Sequence, residues 1–272
     1  MSILSLSDIE RFQLKEDVPL NSQYYFTRFL AKRPAEPTLE NLAFLQEKHM
    51  LHIPFENLDV ISKTPIVTDL ERIFEKVVIN LRGGFCYELN GLFGWLLREI
   101  GYDAHYVGAT VKKPDGSWTI EGSHATNLVY LDSETYLVDV GFGDSVRKPV
   151  PLSGEVVSDV SGKYRALQID EAHYDLQRFE DKQWKTLHRV STVPKEFHEF
   201  APMCEFNQTS PESPFTHKRL VTIATKEGRK TLSDLTLIIT ENGQKAKETI
   251  AEEDLPMILQ QHFYLFLMDS FS

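Results

Sequence analysis

The 272-residue chain has only two cysteines, Cys86 and Cys204. Two thiols cannot build the dense disulfide framework of a small secreted domain. They could pair with each other, but two free thiols in a reducing compartment is the simpler expectation. Long apolar runs are missing as well. No stretch approaches ~18 consecutive apolar residues, so no membrane span is expected. The opening "MSILSLSDIERFQLKEDVPL" lacks the basic-then-apolar order of a signal peptide. Positive charge is in deficit: 29 Lys and Arg face 40 Asp and Glu, a formal net charge of -11. That balance argues against nucleic acid or an anionic membrane as the main partner, while leaving room for a local basic site. There is no C-x-x-C, no H-E-x-x-H and no phosphate-binding Walker loop, and "GFGD" is too short for a dinucleotide fingerprint. A metal site and a nicotinamide enzyme are therefore not expected. Internal repeats and low-complexity runs are also lacking. These absences together predict a soluble, cytoplasmic protein.

What remains is a composition fit for a core. Hydrophobic residues make up 42% of the chain, and its length allows two domains or one large one with a lid. The first hundred residues lean helical. "LSDIERFQLKE" has apolar residues at helical intervals after Ser7 or Asp8. "TLENLAFLQEKHMLHIPF" places Leu39, Leu42, Leu45 and Leu51 near one face after a Thr38 cap and stops at Pro54. "DLERIFEKVVIN" predicts a further helix from Asp69, and "FCYELNGLFGWLLREIG" another that ends at Gly101. From about residue 102 the period changes to two. "YDAHYVGATVK", "SHATNLVYL", "TYLVDV", "YRALQI" and the two halves of "HYDLQRFEDKQWKTLHRV" read as strands with short polar joints. The middle third is expected to be an antiparallel barrel or strongly twisted sheet. Strands joined by "KEG" and "ENG" follow, and "EEDLPMILQQHFYLFL" reads as a closing helix. The class is α+β.

Cys86 sits in "RGGFCYELNG". Gly83 and Gly84 permit a sharp turn with unusual backbone angles, which puts Cys86 in the first turn of a helix. There the dipole and unpaired N–H groups favour a thiolate, and Arg82 adds positive charge. The plain alternative is an inert buried thiol, since free cysteine is among the most buried residue types. A nucleophilic thiol needs a base, and the base needs an orienting group. His124 opens one strand and Asp139 closes another, where a carboxylate in an apolar setting calls for a partner. If "DSET" closes the hairpin, Asp139 lies opposite about Leu128, on the face of His124 but displaced along the strand. A solvent-exposed strand-end histidine and a turn aspartate are the alternatives. His52 is a weaker base candidate. Glu56 is a candidate partner for Arg82 or a solvated surface acid. His49, His105, His173, His188, His198, His217 and His262 have no informative context.

Four stretches taken together resemble the arylamine N-acetyltransferase family, which includes N-hydroxyarylamine O-acetyltransferases: "HIPFENLD", "RGGFCYELN", "SHATNLVYL" with "LVDVGFG", and "FNQTSPESPFTHK". The resemblance implies a helical domain over 1–101 carrying the nucleophile, a β-barrel domain over 102–200 carrying His and Asp, and an α/β lid over 201–272. The catalytic core would be like that of cysteine proteases and transglutaminases. It implies ping-pong acetyl transfer from acetyl-CoA, as donor substrate, through a Cys86 thioester to aromatic amines, hydrazines or N-hydroxyarylamines, as in xenobiotic metabolism. Cys86 matches the nucleophile, His124 the base and Asp139 the orienting acid of a catalytic triad. Phe55, Phe142 and Phe200 match acceptor-pocket aromatics. Gly122, Ser123 and Thr209 match coenzyme-contact positions, and Arg82 with Glu56 a bracing pair. Glu212 and Pro214 depart from the family pattern, which often carries hydroxyl residues there. A monomer or weak homo-oligomer without nucleic acid or membrane partners is expected. The same Cys-His-Asp arrangement also serves amide-forming or amide-cleaving cysteine enzymes, and a non-catalytic small-molecule binder on the same fold is the remaining alternative.

Overall fold

The computed structural model describes residues 19–266 of the chain. The helix expected from Ser7 or Asp8 lies outside the described residues. Helix α1 spans Ser22–Arg28, α2 Leu39–His52, α3 Leu58–Ser62, α4 Leu70–Phe74 and α5 Cys86–Glu99. Thr38 caps α2, its Oγ1 accepting the Asn41 N–H at 3.2 Å. The buried face of α2 is Leu42, Leu45, Gln46, His49 and Met50, an i, i+3, i+4, i+7, i+8 stripe. Leu39 is exposed, so the expected leucine face is turned by part of a turn. Asp69 caps α4 through the Arg72 N–H at 2.9 Å. The helix then widens into a π-turn over Glu75–Ile79, which keeps Val77 and Val78 in the core and places Lys76 beside α5.

Eight antiparallel strands form the second layer: β2 Asp103–Val111, β3 His124–Leu131, β4 Glu134–Val138, β5 Val150–Pro151, β6 Val157–Asp159, β7 Gly162–Gln168, β8 His173–Glu180 and β9 Gln183–Lys195. Their order is β5-β4-β3-β2-β9-β8-β7-β6, and β5 packs against β7 so that the sheet nearly closes on itself. The expected hairpin at 181–182 is present, with Asp181 and Lys182 both at positive φ. The short strands β5 and β6 carry too few alternating residues to be legible in the sequence. Helix α5 packs directly on β3 and β2, which is what brings the cysteine helix to the barrel wall.

The remaining chain forms α6 Ala201–Thr209, the strands β10 Leu220–Ala224, β11 Gly228–Ser233, β12 Thr236–Glu241 and β13 Gln244–Thr249, and α7 Leu255–Phe263. Their sheet is joined at one edge by β1, Phe55–Glu56, so the order is β1-β10-β11-β12-β13. A two-residue strand from the helical part thus ties the last sheet to the loop before Cys86. The "VPKEFHEFAPMCEFNQ" stretch folds into a 3-10 turn over Phe197–Phe200 and then α6. Among the described residues no helix is long and apolar enough to cross a membrane.

Candidate active site

Cys86 is the first residue of α5, where main-chain N–H groups lack intrahelical partners. It is buried, at 2% exposure, and forms part of the floor of a cavity of about 1190 Å³. Neither Gly83 nor Gly84 has positive φ, so the expected unusual backbone angles are absent. The glycines supply room instead. A Cβ on Gly83 would stand 2.2 Å from the Pro54 carbonyl oxygen, and one on Gly84 2.8 Å from Glu88 Cβ. That space lets strand β1 run beside the cysteine turn, with the Glu56 N–H donating to Gly84 O at 2.9 Å.

A string of alternating charges holds this turn from behind. Arg82 donates from Nη2 to Glu56 Oε1 and to Asp59 Oδ1, each at 2.8 Å. Lys76 Nζ reaches Asp59 Oδ2 and Glu88 Oε1, each at 2.7 Å. Glu88 Oε2 accepts the Phe85 N–H at 3.0 Å, at the start of α5. Burial holds Glu88 above the usual carboxylate range even with Lys76 against it. The Arg82–Glu56 pair is therefore real and is one link of a five-residue network.

His124 begins β3 and is 3% exposed; Asp139 follows β4 and is 2% exposed. Their Nε2 and Oδ2 atoms are 2.6 Å apart. The register explains the meeting. The hairpin turn is only Asp132-Ser133, so Leu131 pairs with Glu134 and Asn127 with Val138. Extending that register sets Asp139 opposite Thr126, two residues nearer His124 than the Leu128 position expected from the sequence. Burial opposes charge on His124, but Asp139 and then Cys86 outweigh it and raise the imidazole from 6.5 to about 10. Burial likewise opposes charge on Asp139, yet His124 and then His188 hold its carboxyl far below the usual range. The pair is imidazolium and carboxylate at neutral pH.

Asp139 is fixed on its other side. Oδ1 accepts from Asn90 Nδ2 and from the Gly141 N–H, both at 2.9 Å. Asn90 lies one turn after Cys86 on α5. It also donates to Ala125 O at 2.7 Å and accepts the Val140 N–H at 2.9 Å. Gln46 on α2 donates to Asp139 O at 3.4 Å. Asn207 on α6 donates to Tyr87 Oη at 2.9 Å and Ser123 O at 3.0 Å, linking the cysteine helix to the residue before His124. Sequence reasoning missed these amides, although the four-residue step from Cys86 to Asn90 was a usable signal. His188 was missed too: it is fully buried, with Nε2 3.5 Å from Asp139 Oδ2.

The His124, Asp139 and His188 donors gather within 4.8 Å. The 2.6 Å His124–Asp139 contact is that of a shared proton, since two donors bound to one zinc at 2.0–2.1 Å stand about 3.3 Å apart.

Of the expected pocket aromatics, Phe55 and Phe142 line the cavity. Phe142 meets His124 edge to face, with ring centroids 5.5 Å apart. Phe200 is not in the lining: it is buried behind Tyr87, centroids 6.0 Å apart. Phe215 stands in the wall and packs on Phe55 at 5.9 Å. Ser123 also lines the cavity, as do Glu212 and Pro214. Gly122 sits at φ 71° in the turn that leads to Ser123. Thr209 turns its hydroxyl to Glu205 O at 2.7 Å and is not in the lining. Cys204 is a buried free thiol, as is Cys86, so no disulfide joins them. His52 bonds Lys48 O at 2.7 Å at the end of α2, away from the cavity lining.

A sequence model of an N-acetyltransferase family matches residues 38–271. The chain is 29% identical to an arylamine N-acetyltransferase of Gallus gallus, the pineal gland isozyme NAT-10, over 91% of this chain and 95% of that one. A solved arylamine N-acetyltransferase of Bacillus cereus superposes with a TM-score of 0.85 at 27% identity, covering 90% of this chain and 98% of that one. That enzyme is described with a Cys-His-Glu catalytic triad. The enzyme of Mycobacterium marinum, solved in complex with CoA, superposes with a TM-score of 0.83 at 28% identity, covering 90% of this chain and 93% of that one.

Proposed function

Since the chain belongs to the arylamine N-acetyltransferase family, we propose that it carries an acetyl group from acetyl-CoA to an aromatic amine or hydrazine through a thioester on Cys86. The observation that carries this reading is the buried His124–Asp139 pair, 2.6 Å apart, beside Cys86 on the floor of one large cavity. Imidazolium His124 stabilises the Cys86 thiolate, and Asp139 fixes the ring so that Nε2 is bound and Nδ1 is left for the sulfur. The Bacillus cereus enzyme is described with Glu in its triad, whereas this chain has Asp139, which the two-residue hairpin turn sets opposite Thr126.

The thiolate attacks the thioester carbonyl, and the unpaired N–H of Cys86 at the helix start is a donor for the oxyanion. Collapse breaks the C–S bond to CoA, and the leaving thiolate takes the His124 proton. Acetyl-Cys86 and neutral His124 remain. The acceptor nitrogen then attacks the acetyl carbon and gives its proton to His124, and Cys86 leaves as thiolate. The slot between Phe55, Phe142 and Phe215 suits a flat aryl ring. Lys112, Lys113 and Lys245 on the cavity wall suit the phosphates of the donor, in keeping with a relative that binds CoA. The helical part, the barrel and the last sheet then act as nucleophile carrier, base carrier and lid, and the aromatic wall of Phe55, Phe142 and Phe215 limits water at the thioester.

Incubation with acetyl-CoA followed by intact-protein mass measurement tests the reading. An acetyl adduct on Cys86, lost in Cys86→Ala and discharged by an aryl amine, is the expected result. No adduct on protein whose Cys86 still reacts with iodoacetamide overturns it.

A further inference from the structure

His188 is the one imidazole beside the triad for which the reaction above has no use. It lies on β9, opposite Val111 of β2 and Leu176 of β8. A β-bulge precedes it: Leu176 pairs with His188 but Gln177 with Thr186, so Leu187 is an extra residue. A bulge resets which face the next side chain takes, and here it turns His188 into the barrel. The residue is fully buried, and neither ring nitrogen has a formed hydrogen bond among the described residues. A buried imidazole without a partner is costly. Its ring centroid is 5.3 Å from that of His124 and 5.0 Å from that of Phe142.

The ionisable groups around it are Asp139 after β4, His124 on β3 and Asp175 on β8. Asp175 is already engaged by Arg189 Nε at 2.7 Å and by the Thr186 hydroxyl at 3.2 Å. Asp139 Oδ2, 3.5 Å from Nε2, is the acceptor left. We propose that His188 is a positioning residue that donates its Nε2–H to Asp139 Oδ2 and holds that carboxylate ionised and oriented while Cys86 is acetylated. The inference rests on the thioester reading above.

The reason is the charge count along the reaction. In the resting enzyme the His124 imidazolium neutralises Asp139. After CoA leaves with the His124 proton, Asp139 is a buried anion facing a neutral ring. Its donors are then the Nε2–H of the neutral His124 ring, Asn90, the Gly141 N–H and whatever the second histidine supplies. Burial lowers the His188 proton affinity, so it serves as a neutral N–H donor and adds no competing charge. Its weight therefore falls on the second half-reaction, when the neutral His124 ring is no longer drawn to Asp139 by charge and depends on that carboxylate's orientation to face the amine proton.

The test compares His188→Phe, which removes the donor at similar volume, with His188→Gln, whose amide falls near Nε2, and His188→Asn, whose amide falls near Nδ1. Single-turnover acetylation of Cys86 by acetyl-CoA and its discharge by an aryl amine are timed by rapid quench and mass measurement. In the Phe and Asn variants discharge slows at least tenfold more than acetylation, and Gln restores most of the loss. Equal slowing of both steps, or Gln behaving like Phe, overturns the proposal. A second readout needs no acetyl transfer: the low-field NMR signal of the proton shared by His124 and Asp139 in the free enzyme. Without a competing donor on Oδ2 the imidazolium is held more tightly, so its titration moves to higher pH in Phe and Asn than in wild type and Gln. An unmoved titration counts against His188. Absence of any acetyl adduct in the wild type instead defeats the thioester reading, with the NMR titration still deciding what His188 does.

Discussion

Asn90 donates to Asp139 Oδ1 at 2.9 Å from one turn beyond Cys86 on the same helix. Cys86 and Asp139 are thus placed relative to each other by one rigid element. Asn90 also takes the Val140 N–H and gives to Ala125 O, so both strands that carry His124 and Asp139 are pinned to α5.

Replacing Asn90 by Leu keeps the branched shape and heavy-atom count and removes three hydrogen bonds, one of them to a buried charge. We expect a loss of about 3 kcal/mol in unfolding free energy, measured by urea titration, together with a fall in acetylation rate. An Asn90→Leu protein as stable and as fast as wild type would contradict the pinning.

Gly141 stands where α5 and the end of β4 touch. A Cβ there would lie 2.7 Å from Asn90 Nδ2 and 2.8 Å from Cys86 Cα. Gly141→Ala should fold, because the barrel can shift slightly, but Asp139 and Cys86 must move apart. A displacement near 1 Å at a reacting centre costs about a hundredfold in rate. Acetyl-enzyme formation is the measurement, and a rate within threefold of wild type contradicts the close approach.

Lys76 bridges Asp59 and Glu88 with two contacts of 2.7 Å. Lys76→Met leaves the buried Glu88 carboxylate without its cation and Asp59 with Arg82 alone. Breaking a buried pair from one side costs about 3–5 kcal/mol, read by chemical denaturation. Part of this loss should return at lower pH, since burial already holds Glu88 above the usual carboxylate range.

The His124 imidazole is raised from 6.5 to about 10 in the folded protein. Its contribution to stability is complete below pH 6.5 and is lost as pH rises toward 10. Asp139, lowered in the fold, contributes above the usual carboxylate range and loses that contribution as pH falls. Wild type should therefore lose stability between pH 7 and 10 more steeply than His124→Gln. Parallel stability curves over that window would show that His124 is not held as an imidazolium.

The order helices, strands, then strands with a helix was legible in the sequence because each element follows its own short-range period and turn chemistry. The cysteine at a helix start, and the His and Asp at strand ends, were legible for the same local reason. Opposite charge and the resemblance also marked Glu56 as a candidate partner for Arg82, beside the reading of a solvated surface acid. What it left open were facts of contact between segments far apart in the chain. Gly83 and Gly84 are glycines because Pro54 and Glu88 need the space, which no backbone-angle rule reveals. Phe200 packs behind Tyr87 rather than in the pocket, at the joint between the 3-10 turn and α6. The two-residue turn at Asp132-Ser133 brings Asp139 to His124, and a bulge at Leu187 turns His188 toward that carboxylate. Register and bulges are set by the packing of whole faces, and a shift of one residue reverses every side chain. The sequence by itself determined the candidate side chains, because residue type and local period are written in it, and the tertiary structure decided which of them meet.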